Sequence, residues 1–141
     1  MSKLNKIVYF IISIIFFVVF DLFFSEQILN SLRFDMPENP LFELIFVKNT
    51  GAAFSILENY IMFLIIFSVI ALITVICYMV RNVDKFSVFA CFWAAMLGAG
   101  IGCNLYERIA FGYVRDFFNL KIIDFPVFNI SDIFISISVL A

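Results

Sequence analysis

Few residues in this chain are equipped for chemistry. Of its 141 residues only 14% are charged, histidine is absent, and Cys77, Cys91 and Cys103 stand in apolar runs without CxxC spacing. Neither a zinc site nor a disulfide framework can be assembled from that set. Any chemistry therefore belongs to carboxylates and amides. Three polar residues, Asp21, Asn104 and Asp132, interrupt or border long apolar runs, and Asn49, Glu107, Arg108 and Asp116 flank them. Ionisable groups within lipid are costly and generally face a bundle interior or an aqueous cavity, so these residues mark a candidate site.

The elements that must position them follow from composition. Hydrophobic residues make up 65% of the chain, with 21 phenylalanines and a mean hydropathy of +1.11. A soluble domain is about half apolar and about a quarter charged, so the solvent here is lipid. A helical span needs about 20 apolar residues. The sequence predicts an α-helical integral membrane protein with four transmembrane helices, over about 7–24, 60–80, 86–105 and 127–141, in one membrane-embedded domain covering 1–141. The first run lacks an A-x-A pattern at its end and is read as a retained span rather than a cleaved signal. The last is about 22 Å long at ~1.5 Å per residue, so either the bilayer adapts or the chain continues.

Lys3 and Lys6 precede the first span, and Arg81 and Lys85 lie in the 81–85 connection. The positive-inside rule then puts the N-terminus in the cytoplasm. Segments 25–59 and 106–126 face outward and carry eight of the 11 acidic residues: Glu26, Asp35, Glu38, Glu43, Glu58, Glu107, Asp116 and Asp124. Asp21, Asn104 and Asp132 thus share one level near the outer face. The aromatic and aliphatic segments 41–48 and 113–123 suit strands, which predicts a small extracytoplasmic sheet. With a net charge of −2 and no basic tract, nucleic acid is not an expected partner.

Each polar residue also has a plainer role. Asp132, with Asn129 and Ser131 before it, can cap the fourth helix. Glu107 and Arg108 can form an interfacial pair ending the third. Asn49-Thr50-Gly51 can be a turn. Gly98 and Gly102, with Gly100, can serve close helix packing. Asp21, alone among phenylalanines, has no local explanation.

Four motifs, in order along nearly the whole chain, resemble those of the bacterial lipoprotein signal peptidases, or type II signal peptidases. They are Asn49-Thr50-Gly51-Ala52-Ala53-Phe54-Ser55; Asn104-Leu105-Tyr106-Glu107-Arg108; Gly112-x-Val114-x-Asp116-Phe117; and Phe125-Pro126-x-Phe128-Asn129-x-x-Asp132. The resemblance implies a membrane aspartic endopeptidase of the bacterial inner membrane. It would cleave prolipoproteins just before their diacylglyceryl-modified cysteine. With no His and no clustered thiolates, neither metal nor cofactor is expected, and a monomer in membrane lipid is the expected unit. Its catalytic pair would be Asp116 and Asp132, supported by Asn49, Asn104, Arg108, Asn129, Asp21 and Glu107. The residue types suit that reaction: one carboxylate takes a proton from water and the other donates one, and neighbouring carboxylates titrate as a coupled pair.

Three positions depart from the family pattern: Ser25 where a Lys usually neighbours the first-span Asp, Glu107 for the usual Asp, and Cys103 for the usual Gly beside Asn104. A small proton- or ion-coupled transport subunit is the alternative suggested by an intramembrane Asp. A catalytically weak prolipoprotein-binding relative is another, suggested by the departures.

Overall fold

The computed structural model of the chain describes residues 1–34, 36–52 and 56–141. Ala53, Phe54 and Ser55 of the first motif, and Asp35 of the outer acidic set, lie outside the described residues.

Helix α1 (Lys3–Ser31) begins where the Ser2 hydroxyl accepts the Asn5 N–H at 3.2 Å, a Ser N-cap. It buries Phe10, Ser13, Phe17, Asp21 and Ser25, a stripe at three- and four-residue spacing. Helix α2 (Ile61–Asn82) passes through a 3₁₀ turn, Val83–Lys85, into α3 (Val88–Phe111). Ser87 starts α3 by accepting the Ala90 N–H at 3.1 Å. The short connection leaves backbone carbonyls free, and Lys6 Nζ donates to Phe86 O at 2.7 Å. Among the described residues, these three helices are long and apolar enough to cross a membrane by length and composition. Their outward faces, including Phe16, Phe23, Phe67 and Phe89, are exposed.

Helix α3 is the centre of the bundle and packs against α1, α2 and α4 (Ile130–Leu140). Its closest approach is at Gly100, where a Cβ would lie 2.8 Å from both Ser131 O and Ile135 Cγ1. Gly98 and Gly102 are not the packing pair: a Cβ on either would meet nothing nearer than 3.8 Å. Two positions along a helix is more than half a turn, so they face the α2 side, where Leu72 fills the space.

At the end of α3, Gly112 adopts φ +80° and its N–H bonds Arg108 O at 3.0 Å. This left-handed cap is one that a residue with a Cβ adopts poorly, and it turns the chain directly into β2 (Val114–Leu120). Strand β2 pairs antiparallel with β1 (Phe42–Asn49), placing Val47 opposite Asp116 and Asn49 opposite Val114, with an irregularity between Leu44 and Val47. Phe128 returns to β2: the Phe117 and Phe118 N–H groups both donate to Phe128 O, at 3.1 and 2.9 Å. The two strands agree with the expected sheet.

The helices differ from the expected apolar runs at their ends. Helix α1 continues through residues 25–31 and α3 through 106–111, because polarity does not break a helix and the first left-handed residue after α3 is Gly112. Helix α4 starts at Ile130 rather than Val127, since Phe128 is held by β2 and Asn129 is the N-cap. Its 11 residues rise only about 16 Å.

Candidate active site

Asp116 lies on β2 and is 2% exposed. Each of its oxygens accepts from an amide: Oδ2 from Asn49 Nδ2 at 3.0 Å and Oδ1 from Asn129 Nδ2 at 3.1 Å. The sheet explains the pairing. Asn49 ends the strand beside β2, and Asn129 follows the Phe128 bridge. Asn49 is itself oriented by a local turn, its Oδ1 accepting the Gly51 N–H at 2.9 Å.

Asp132 is both a capping residue and a member of this cluster. Its Oδ2 accepts the Asn129 N–H at 3.0 Å, while Asn129 Oδ1 accepts the Asp132 N–H at 2.9 Å, a reciprocal capping box. Its other oxygen, Oδ1, accepts from Asn104 Nδ2 at 3.0 Å, and Asn129 Nδ2 donates to Asn104 Oδ1 at 3.0 Å. Asp116, Asn129, Asn104 and Asp132 thus form one hydrogen-bonded chain across β2, α4 and α3. A fully satisfied buried polar network of this kind holds a single arrangement.

The two carboxylates open onto a cavity of about 460 Å³. Asn49, Asn104, Arg108, Asp116 and Asp132 line its polar end, and Leu120, Phe125, Val127, Ile133 and Ile137 line its apolar end. Burial, and after it the charge of Asp132, raises the Asp116 carboxyl to about 7, against the Asn49 hydrogen bond that lowers it. At neutral pH such a group both gives and takes a proton.

Arg108 also faces the cavity. Its NH1 reaches Ser68 Oγ at 3.5 Å, and its Nε is buried without a hydrogen-bond partner among the described residues. It does not pair with Glu107. Residues 107 and 108 point in different directions on the helix, and Glu107 grips Arg115 instead: Oε2 accepts the Arg115 N–H at 2.7 Å, and Oε1 accepts from Nε and NH2 at 3.1 and 2.9 Å. Arg115 also meets Glu26 at 2.9 Å. The longer Glu107 therefore ties the end of α3 to the strand carrying Asp116, outside the cavity.

Asp21 lies outside the cavity lining as well. It is buried on α1, with Oδ1 accepting from Ser25 Oγ at 3.1 Å and Oδ2 from Ser131 Oγ at 3.0 Å. Ser25 supplies a hydroxyl donor where a cation was expected. Cys103 is buried within electrostatic reach of the same carboxyl, while the tight α3–α4 contact falls at Gly100. Sequence reasoning missed Ser131 and Arg115 as partners. Their only signal is polarity beside a motif residue, which does not reveal a contact 110 or 89 residues away.

Among the described residues, no group of three or more Cys, Asp or Glu is arranged to hold a metal ion. What the arrangement offers is a coupled carboxylate pair, a row of amides and one guanidinium beside an apolar slot.

Comparison with known proteins bears on that chemistry. The family model described as signal peptidase (SPase) II matches residues 12–141. A lipoprotein signal peptidase of Caldicellulosiruptor bescii is 45% identical over 113 residues, covering 75% of this chain and 69% of that protein. One of Streptococcus thermophilus is 36% identical over 100 residues, covering 71% of this chain and 65% of that protein. The matched stretch thus spans about two thirds of these relatives. A solved bacterial membrane enzyme, determined by the in meso method at 2.3 Å resolution, superimposes with a TM-score of 0.80 at 28% identity. That likeness covers 93% of this chain and 82% of the other.

Proposed function

The chain belongs to the signal peptidase II family, and on that premise we propose that it removes the signal peptide from diacylglyceryl-modified prolipoproteins, with Asp116 and Asp132 as the catalytic pair. The observation that carries this reading is the Asp116–Asn129–Asn104–Asp132 chain at the head of a mostly apolar cavity. A transport path would instead need ionisable groups at several depths; here they gather at one level.

The pair carries one proton near neutral pH, favoured by the burial of Asp116 next to Asp132. The ionised carboxylate takes a proton from a water as its oxygen attacks the scissile carbonyl carbon. The protonated carboxyl gives its proton to the carbonyl oxygen. As the gem-diol collapses, one of its hydroxyls gives its proton to the ionised carboxylate while the protonated carboxyl gives its own to the departing nitrogen; the C–N bond breaks, the products are a carboxylic acid and an amine, and the pair again carries one proton.

The amides and Arg108 bind rather than react. A signal peptide near its cleavage point must leave the helical state to be cut, and its freed backbone groups cost several kcal/mol in lipid unless re-paired. Asn49 and Asn104 supply a donor and an acceptor each, and the partnerless Arg108 Nε offers a donor to a substrate carbonyl. The apolar end of the cavity takes the side chains before the cut, and the diacylglyceryl chains remain in lipid and fix its depth.

Lys3 and Lys6 meet the α2–α3 connection, where Arg81 and Lys85 also lie. All four cations thus stand at the end of the bundle away from the carboxylates, which supports a cytoplasmic N-terminus and an active site at the outer face of the inner membrane. We take the working unit to be a single-domain monomer, since Asn49, Asn104 and Asn129 of this chain already satisfy the oxygens of both carboxylates.

The test is a gel-shift assay of a lipidated prolipoprotein with the purified protein. Wild type is expected to shorten the precursor, and Asp116→Asn and Asp132→Asn to leave it intact. Cleavage by both variants at the wild-type rate would overturn the assignment.

A further inference from the structure

The dyad network does not explain the hydrogen bond behind it. Ser131 stands immediately before Asp132 in the first turn of α4, is 2% exposed, and donates to Asp21 Oδ2 on α1 at 3.0 Å. Among the described residues it is the one hydrogen bond between α1 and α4. Successive residues on a helix are about 100° apart, so the Ser131 hydroxyl reaches α1 while Asp132 turns to the cavity and Asn104.

Other contacts fix different coordinates of α4. The Asn129–Asp132 capping box holds Asp132 relative to its own helix. Gly100, against Ser131 O and Ile135, sets how near α4 comes to α3. Asn104 bonds Asp132 Oδ1 itself, on the side that faces the cavity. Phe134 also packs on α1, its ring 5.2 Å from that of Phe17 and 5.9 Å from that of Phe20, but ring contacts are non-directional and permit a small turn of the 11-residue helix that a hydrogen bond, satisfied only near 3 Å and in one direction, does not. The buried Ser131–Asp21 bond opposes that turn, and Ser25, by donating to Oδ1, leaves Oδ2 to Ser131.

We propose that Ser131 is a positioning residue, whose hydrogen bond to Asp21 fixes the rotation of α4 and so aims Asp132 at the reacting water. This rests on Asp132 being catalytic. Misaiming a catalytic group slows the chemical step much more than it weakens substrate binding. Ser25 touches the same carboxyl but not α4, so its loss leaves the aim intact.

The experiment measures kcat and KM for a lipidated precursor peptide with the full chain in mixed detergent–lipid micelles. Ser131→Ala is expected to lower kcat about tenfold with KM within about twofold, whereas Ser25→Ala keeps kcat within about twofold. Asp21→Leu, close in size and without an acceptor, lowers kcat in the same direction, and adding Ser131→Ala to it brings no further loss, as for two ends of one bond. Equal kcat losses in Ser25→Ala and Ser131→Ala would overturn the proposal, since they would mean that any disturbance of the buried carboxyl suffices. So would unchanged kcat in Ser131→Ala, or fully additive losses in the double variant. If Ser131→Ala does not fold, a rise in KM at unchanged kcat in Asp21→Leu overturns the proposal in its place. Asp132→Asn in the same assay separates the levels: activity there sinks the dyad reading, whereas inactivity there with wild-type kcat in Ser131→Ala sinks the tether alone.

Discussion

Asn129 Nδ2 donates to Asp116 Oδ1 at 3.1 Å, and Asn129 is also the N-cap of the helix that carries Asp132. One side chain thus joins the strand aspartate to the start of the helix holding the other. Replacing it removes a cap and a bridge together. Asn129→Ala is expected to cost about 1–2 kcal/mol in stability from the cap and to reduce cleavage at least a hundredfold, while Asn49→Ala, outside any helix cap, reduces cleavage strongly with little change in melting temperature. Thermal unfolding and precursor cleavage measured on the same samples distinguish the two.

Asp116→Asn and Asp132→Asn are each expected to abolish cleavage, and combining them to add almost nothing, as for two carboxylates that work as a unit. Both variants are expected to accumulate in membranes at the wild-type level. An Asp132→Asn enzyme that cleaves normally would reduce Asp132 to its capping role.

Asp116 has its carboxyl raised to about 7 by burial and by Asp132. For an acid raised in the folded state, the native protein binds more protons than the unfolded chain between about 4 and about 7. Its contribution to stability is therefore present below about pH 4 and is lost as pH rises through about 7. Asp116→Asn removes that dependence. The melting temperature of the variant minus that of wild type should rise from pH 4 to pH 8, and a flat difference would contradict the raised value.

Gly100→Ala sets a Cβ 2.8 Å from Ser131 O and Ile135 Cγ1. Forcing α4 outward is expected to cost about 1–3 kcal/mol and to lower cleavage with it. Gly98→Ala and Gly102→Ala meet only ordinary contacts at 3.8 Å or more and retain both stability and activity. Melting curves of the three variants test the contrast.

Cleavage is expected to proceed unchanged in EDTA, because two carboxylates suffice to move the protons. It is also expected to fall sharply for a precursor lacking its diacylglyceryl group, since acyl chains in lipid set the depth of the cut. Zinc-restorable loss in EDTA, or equal turnover of the two precursors, would each contradict the proposed mechanism.

Lipid as solvent, the long apolar helices and the gathering of polar groups at one level are legible in the sequence, because burial of about 20 apolar residues per span is decided by composition alone. The strands near 41–48 and 113–123 are legible too, through their aromatic and aliphatic content, and the ordered motifs single out Asn49, Asn104, Asp116, Asn129 and Asp132, which the structure joins by hydrogen bonds. Contacts between distant segments are not. Whether Glu107 meets Arg108 or Arg115 depends on the left-handed turn at Gly112, which folds β2 back along the end of α3. Whether Gly98 or Gly100 carries the helix contact depends on which face α4 occupies. The late start of α4 depends on Phe128 being held by β2, and the partner of Asp21 depends on the rotation of a helix 110 residues away. Apolar periodicity fixes which side of a helix is buried, but a hydrogen bond is satisfied only at about 3 Å and in one direction, and that precision exists only once the helices and the sheet are packed together.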